Sequence, residues 1–290
     1  MGITFQAPCV KLTKLENLWF QLSNVSCNIK CKHCFLDCHH DIKKRNFLSI
    51  DKIKNVLSEE LPDLTRIFLT GGEPFFHKEI LEIIHLSLQK ANLTIYSNGT
   101  LINEKKVKFI KGLEENSAFH VAFTLSLDHF TEGRNDEYRA RGVFKKVMNA
   151  ITLLRQYNFE VNLTCVNLKN EPEEILKEGF IELFKNRKLD LRENNIKIIP
   201  LLKMGNYAKY YNISDNSKNV TFADFENTVI ERLDCHNSRV ITINGIYSCP
   251  ALVNDPRGKV GIQLPDSSEK VYLETETCCE CLSRSTKLFG

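Results

Sequence analysis

The sequence predicts an α/β fold: an open, partial (β/α)6 TIM-like barrel followed by a small C-terminal β-hairpin and cysteine-rich appendage. Short apolar runs alternate with amphipathic helical stretches six times between residues 18 and 199. Strands separated by helices of this length pair in parallel through right-handed crossovers. Past Gly205 the rhythm stops, and an Asn-Gly hairpin and a second group of cysteines follow. Six units fall short of the eight that close a barrel. A doubly wound sheet is the alternative that periodicity alone leaves open.

Residues 18–25 read as the first strand, whose final turn delivers Cys27. Ser49 is placed to cap a helix with Ile50, Ile53, Val56, Leu57 and Leu61 on one face. Residues 66–70 form a β-rich run, broken by Gly71-Gly72 and followed by a helix near 78–90. The third strand, 93–97, ends at Asn98-Gly99, and Asn103 caps the helix after it. Residues 119–127 alternate like a strand and 143–157 have helical spacing. Strands at 160–166 and 196–199 flank a helix over 173–184 that starts behind Pro172, a favoured first-turn residue. Residues 206–219 are polar and read as a loop, and 222–233 as one helix. Residues 240–243 and 246–249 read as a hairpin with a type I′ turn at Asn244-Gly245. The expected division is a barrel over 1–205 and an appendage over 206–290.

Apolar residues make up 42% of the 290 and charged residues 26%, ordinary for a globular chain. No stretch approaches the ~20 apolar residues that cross a bilayer. The start, Met1-Gly-Ile-Thr-Phe-Gln, lacks the charged-then-apolar pattern of a secretion signal, and Gln6 argues against myristoylation at Gly2. A cytoplasmic location without membrane contact is expected. The net charge of +3 is spread along the chain. Lys43-Lys44-Arg45 and Lys105-Lys106 read as solvated helix ends, which argues against a nucleic-acid partner.

Eleven cysteines are unevenly placed: Cys27, Cys31, Cys34 and Cys38 early, Cys235, Cys249, Cys278, Cys279 and Cys281 late, Cys9 and Cys165 apart. A reducing compartment disfavours disulfides, so clustered thiols point to metal. Cys27, Cys31 and Cys34 form C-x3-C-x2-C. Three thiolates from one loop can hold three irons of a [4Fe–4S] cube and leave the fourth open. The alternative is a closed zinc site completed by Cys38 or His39. Placement after the first strand matches the rule that α/β folds bind ligands beyond strand C-termini.

With Gly71-Gly72-Glu73-Pro74 after the second strand, the order of motifs from Trp19 to Pro200 resembles the radical S-adenosylmethionine (SAM) superfamily. The resemblance implies that SAM chelates the open iron, and that one electron from the cluster breaks a C–S bond to give a 5′-deoxyadenosyl radical. It implies that Gly71, Gly72, Glu73 and Pro74 bind the SAM amino group and that Phe35 lies near the adenine. Ser97-Asn98-Gly99 and Ser126-Leu127-Asp128 match positions lining the ribose and carboxylate. Arg139 or Arg141 resembles the basic residue near that carboxylate. An electron donor such as flavodoxin or ferredoxin is implied as well. The G-x-I-x-G-x-x-E motif of many members is missing at the fifth strand, where Asn162, Thr164 and Asn167 become candidates.

Cys235, Cys249, Cys278 and Cys281 offer four thiols, which suit a zinc site or a second [4Fe–4S] cluster. Residues 240–250 resemble the hairpin of SPASM/twitch appendages, which implies an auxiliary iron–sulfur cluster of the one-cluster form. Cys278 gives C-x2-C with Cys281, so it is the preferred ligand and Cys279 a spare thiol. Cys9 and Cys165 read as small buried hydrophobes, and Cys38, His39 and His40 as mainly structural or surface residues.

Barrel and appendage use nearly the whole chain, which favours a compact substrate: a sugar, aminocyclitol, nucleoside or short peptide. The first reading is a radical SAM enzyme acting on a small molecule by dehydrogenation, lyase or rearrangement chemistry, a queuosine-type nucleoside lyase being one example. The second is a peptide-modifying enzyme, forming epimers or thioethers. The third, a non-enzymatic metal-binding module, leaves Gly71–Pro74 without a purpose. No catalytic acid, base or radical partner is identified; Glu193, Lys203, Tyr207, Tyr210 and Arg239 read as framework or surface residues.

Overall fold

The computed structural model describes residues 7–36, 38, 46–212, 220–226, 228–264 and 270–283. The readings for residues 1–6, His39, His40 and 43–45 lie outside the described residues. Strands β2 (Asn17–Gln21), β3 (Arg66–Thr70), β4 (Asn92–Ser97), β5 (Val121–Ser126), β6 (Glu160–Asn167) and β7 (Ile196–Pro200) lie side by side in sequence order, all parallel. On the other side of β2 lies β8 (Ser238–Thr242), also parallel, so the expected hairpin extends the barrel sheet. β9 (Gly245–Tyr247) and β10 (Lys259–Gly261) follow antiparallel. The sheet runs from β10 to β7 without closing, as expected of a partial barrel. A separate ladder joins β1 (Cys9–Val10) to β11 (Val271–Tyr272).

Between the strands run α1 (Ile50–Ser58), α2 (Ile80–Ser87), α3 (Glu104–Glu115), α4 (Glu132–Tyr138), α5 (Val143–Gln156) and α6 (Glu173–Asn186). Ser49 and Asn103 cap α1 and α3 as expected, accepting the Lys52 and Lys106 amides at 3.3 and 3.0 Å. Strand side chains alternate between two faces. Leu18, Phe20, Ile67, Leu69, Leu93, Ile95, Phe123 and Leu163 share one core with Ile53, Ile84, Ile110, Ile151 and Phe180 of the helices. Trp19, Phe68 and Val240, one residue out of phase, join a second core with Cys27 and Cys38 and no helix of the first set. Helices therefore cover one face only, which sets this sheet apart from a doubly wound one.

Several local expectations are corrected. The first strand stops at Gln21, because the Ser23 hydroxyl accepts the Val25 and Ser26 amides and turns the chain out of the ladder. The polar stretch after Met204 is helical over α7 (Gly205–Tyr211), because tertiary hydrogen bonds at Asn206 override its weak propensity; residues 213–219 lie outside the described set. Extended backbone at Val229 separates α8 (Phe222–Glu226) from a 3-10 turn at Ile230–Arg232, so one helix over 222–233 does not form. In the hairpin Thr242 pairs with Gly245, which makes Ile243 and Asn244 the turn residues. Asn244 has no positive φ, so the turn is not type I′; the Thr242 hydroxyl accepts its amide at 3.0 Å instead. Cys9 is half-buried on β1, whereas Cys165 is fully buried in the core.

Candidate active site

The C-terminal ends of the parallel strands open onto one cavity. Cys27, Cys31, Cys34 and Phe35 reach it from the loop after β2, Gly71 and Gly72 after β3, Ser97 and Asn98 from the end of β4, and Ser126 from β5. Cys27 is buried, and Cys31 and Cys34 are half-buried. Cys38 lines the same cavity, and its thiol shares a hydrogen bond with Cys34 that draws Cys34 below the usual thiol range. Burial pushes Cys27 up to about 12 and raises Cys31, and the hydrogen bond with Cys34, then burial, raises Cys38. Crowded, buried thiols of this kind ionise fully when a cationic partner offsets their repulsion, which is the chemistry of a metal–thiolate site.

The glycines are dictated by what lies against them. Gly71 and Gly72 both have left-handed backbone, at φ +92 and +57. A Cβ on Gly71 would sit 2.6 Å from the Ser23 carbonyl oxygen, and one on Gly72 would collide with the Ser26 carbonyl. This turn is thus packed directly on the chain that enters the cysteine loop. Glu73 is fully buried, and its carboxylate accepts the Phe75 amide (3.1 Å), the Ser97 hydroxyl (2.8 Å) and the Asn98 amide (2.7 Å). Asn98 in turn donates to Asn28 Oδ1 at 2.9 Å and lies 3.6 Å from Cys27 Sγ. Glu73 and Pro74 do not line the cavity; they hold the ends of β3 and β4 together.

Arg139, which follows α4, reaches the cavity on a rigid support. Its Nε lies 2.6 Å from Asp128 Oδ2, and its Nη2 donates to Oδ1 at 2.8 Å. His33 Nε2, from the cysteine loop, lies 3.1 Å from the same carboxylate. Burial works to raise Asp128, but Arg139 and His33 together hold it well below the usual carboxylate range. Asp128 sits behind Arg139, and Arg141 is solvent-exposed and away from the cavity. Of the three β6 candidates Thr164 lines the cavity, while Asn162 bonds Glu160 and Asn195 and Asn167 bonds Glu171.

Three buried polar atoms on this lining have no protein partner: Trp19 Nε1, His33 Nδ1 and Thr164 Oγ1. Buried polar groups are satisfied as a rule, so these are free to bond a ligand or an ordered water. Trp19 stacks on Phe68 with centroids 4.0 Å apart and meets Tyr96 at 5.4 Å, forming an aromatic floor across β2, β3 and β4. Sequence reasoning missed Trp19, because an aromatic residue on a strand reads as core. Asn206 was missed as well: its amide donates to the Cys34 carbonyl at 2.7 Å, and its side chain donates to the Cys31 and Cys38 carbonyls at 3.3 and 3.2 Å.

A second cavity collects the late cysteines. Cys235 precedes β8, Cys249 follows β9, and Cys278 and Cys281 lie one turn apart on α9 (Glu276–Leu282). All four line it and Cys279 does not. Burial, then the neighbouring thiols, raise Cys235; burial, then Asp234 and the thiols, raise Cys249; and burial raises Cys278. Among the described residues no group of three or more His, Cys, Asp or Glu side chains is placed to hold a single metal ion. Glu193 pairs with Lys177, and Arg239 is buried with its guanidinium donating to the Cys235 and Ser238 carbonyls. No helix among the described residues is long and apolar enough to cross a membrane.

Comparison with known proteins agrees with this geometry. The sequence model of the Radical SAM superfamily matches residues 23–179. GTP 3′,8-cyclase of Clostridium perfringens (strain SM101 / Type A) is 28% identical over 197 residues, covering 66% of this chain and 57% of that protein. The cysteine-type anaerobic sulfatase-maturating enzyme of Clostridium novyi (strain NT) is 31% identical over 171 residues, covering 52% of this chain and 44% of that protein. The chain thus matches about half the length of these relatives. Native anSMEcpe with bound AdoMet shares the fold, with a TM-score of 0.60 at 19% identity, covering 93% of this chain and 80% of that one. Because the superfamily model spans more than half of the sequence, this protein belongs to the radical SAM superfamily, enzymes built on a [4Fe–4S] cluster and S-adenosylmethionine.

Proposed function

We propose that Cys27, Cys31 and Cys34 hold three irons of the cluster and that SAM occupies the cavity beside them. Convergence of these thiols and the orphaned Trp19, His33 and Thr164 atoms on one cavity is the observation that carries this reading. The reduced cluster with SAM supplies a 5′-deoxyadenosyl radical, drawing its electron from a donor such as flavodoxin or ferredoxin. The chain's own residues bind and orient. Gly71 and Gly72 offer backbone to the SAM amino group, Ser97, Asn98 and Ser126 flank the ribose, and Phe35 covers the adenine. The basic role falls to Arg139 rather than exposed Arg141, with Asp128 fixing its guanidinium. Glu73 and Pro74 shape the turn, since the Glu73 carboxylate is already committed to three donors.

The second cavity is read as an auxiliary [4Fe–4S] site with Cys235, Cys249, Cys278 and Cys281 as ligands. Residues 1–205 then generate the radical and 206–290 carry the auxiliary cluster, while β8 joins the two in one sheet. The substrate is read as a compact molecule, a nucleoside or sugar derivative, undergoing hydrogen abstraction of lyase or dehydrogenase type in the cytoplasm. Among the described residues, Arg139 and Lys197 are the lysine and arginine side chains on the lining, and Arg139 is neutralised by Asp128. That is a poor setting for a triphosphate. A peptide substrate is the second reading, favoured by the 31% identity to a sulfatase-maturating enzyme.

The test is to follow 5′-deoxyadenosine release by the reduced protein with nucleosides, aminocyclitols, sugars and a short cysteine-containing peptide. Stimulation by a compact polar molecule supports the first reading. Stimulation by the peptide alone moves the assignment to the second.

A further inference from the structure

Ser248 sits between β9 and Cys249, fully buried, and lines the four-cysteine cavity. Its backbone amide is engaged with the Gly258 carbonyl at 2.9 Å. Its hydroxyl has no partner. Two of the thiols already receive donors: the Ala251 amide on Cys249, and the Thr275 hydroxyl on Cys278 at 3.2 Å. An orphaned buried hydroxyl is costly, and such groups call for an explanation. Four thiols around that pocket supply one: sulfur accepts hydrogen bonds, and a donor directed at a cluster favours its more negative, reduced form.

We propose that the Ser248 hydroxyl donates a hydrogen bond to a sulfur of the cluster held by Cys235, Cys249, Cys278 and Cys281, and so raises that cluster's reduction potential. This rests on the auxiliary-cluster reading. Ser248 is a positioning residue here; it ligates nothing. In the metal-free chain Ser248→Ala removes an unpaired group, so its thermal stability should equal or exceed that of the wild type.

The test is an anaerobic redox titration of the reconstituted protein followed by electron paramagnetic resonance, with iron and zinc counted on the same samples. Wild type and Ser248→Ala should both hold about eight irons, two cubes' worth. Ser248→Ala should lower the midpoint of the second cluster alone and remove one exchangeable-deuteron coupling to it after transfer into heavy water. Ser248→Thr, which keeps a hydroxyl, should keep the coupling. An unmoved second midpoint and an unchanged coupling at full iron content overturn the role of Ser248 while leaving the cluster standing. Loss of the second cluster in a folded Ser248→Ala also overturns it, since assembly rather than tuning would then be at stake. Wild-type protein with about four irons and no second signal removes the auxiliary cluster, and the role of Ser248 with it.

Discussion

The backbone amide of Asn206 donates to the carbonyl of Cys34 at 2.7 Å, and its side chain ties the Cys31 and Cys38 carbonyls to the same point. A residue far along the chain thus fixes the backbone of the cysteine loop. Asn206→Ala keeps the backbone bond but removes a donor from the Cys31 and Cys38 carbonyls, a loss of about 1–3 kcal/mol. Iron release to a chelator from the first site should then quicken about tenfold, given that 1.4 kcal/mol is one decade. Unchanged release would show that the loop holds its shape without this staple.

Gly72 offers a sharp steric contrast. Gly72→Ala drives a methyl into the Ser26 carbonyl at a left-handed residue, so the turn and the cysteine loop cannot both persist. A Cβ on Gly133, in the exposed part of α4, would meet nothing. Gly133→Ala should be neutral or stabilise by up to about 1 kcal/mol. The two variants are compared by soluble yield, melting temperature and iron content. Gly72→Ala retaining wild-type iron would refute the packing of this turn.

Asp128 and Arg139 are both buried, so breaking the pair strands a charge. Asp128→Asn should cost about 3–5 kcal/mol in denaturant unfolding of the metal-free chain. The folded carboxyl is held below the ~3.9 of an unfolded aspartate, so the pair's contribution is complete above that value and fades as pH falls through the folded one. The gap between wild type and variant should be flat above about pH 5 and narrow in acid. A gap that instead widens in acid would contradict the assignment.

Cys278 and Cys279 are neighbours with different surroundings: one lines the second cavity and the other does not. Cys278→Ser should reduce reconstituted iron from about eight to about four, whereas Cys279→Ser should leave it at about eight. Reversed results would exchange the two residues.

Much of this was legible in the sequence. Period-two alternation in the strands and capping at Ser49 and Asn103 come from local chemistry, and the structure follows them closely. The cysteine loop and the Gly71-Gly72 turn were readable because their residue types admit few other purposes. Three features were not. Asn206 looks like any loop asparagine until the fold brings it beneath Cys34, a contact 172 residues away along the chain by subtraction of the two numbers. Trp19 is indistinguishable from core until its indole nitrogen is seen to lack a partner. The pairing of β8 with β2 joins segments far apart in the chain through hydrogen bonds that no local pattern encodes.

The central claim is that Cys27, Cys31 and Cys34 hold a cluster that cleaves SAM. Its most direct test is to reduce the anaerobically reconstituted protein with SAM and quantify 5′-deoxyadenosine. The wild type should form it, and the variant with all three cysteines replaced by alanine should form none while keeping the iron of the second site. Equal 5′-deoxyadenosine from both proteins would contradict the claim.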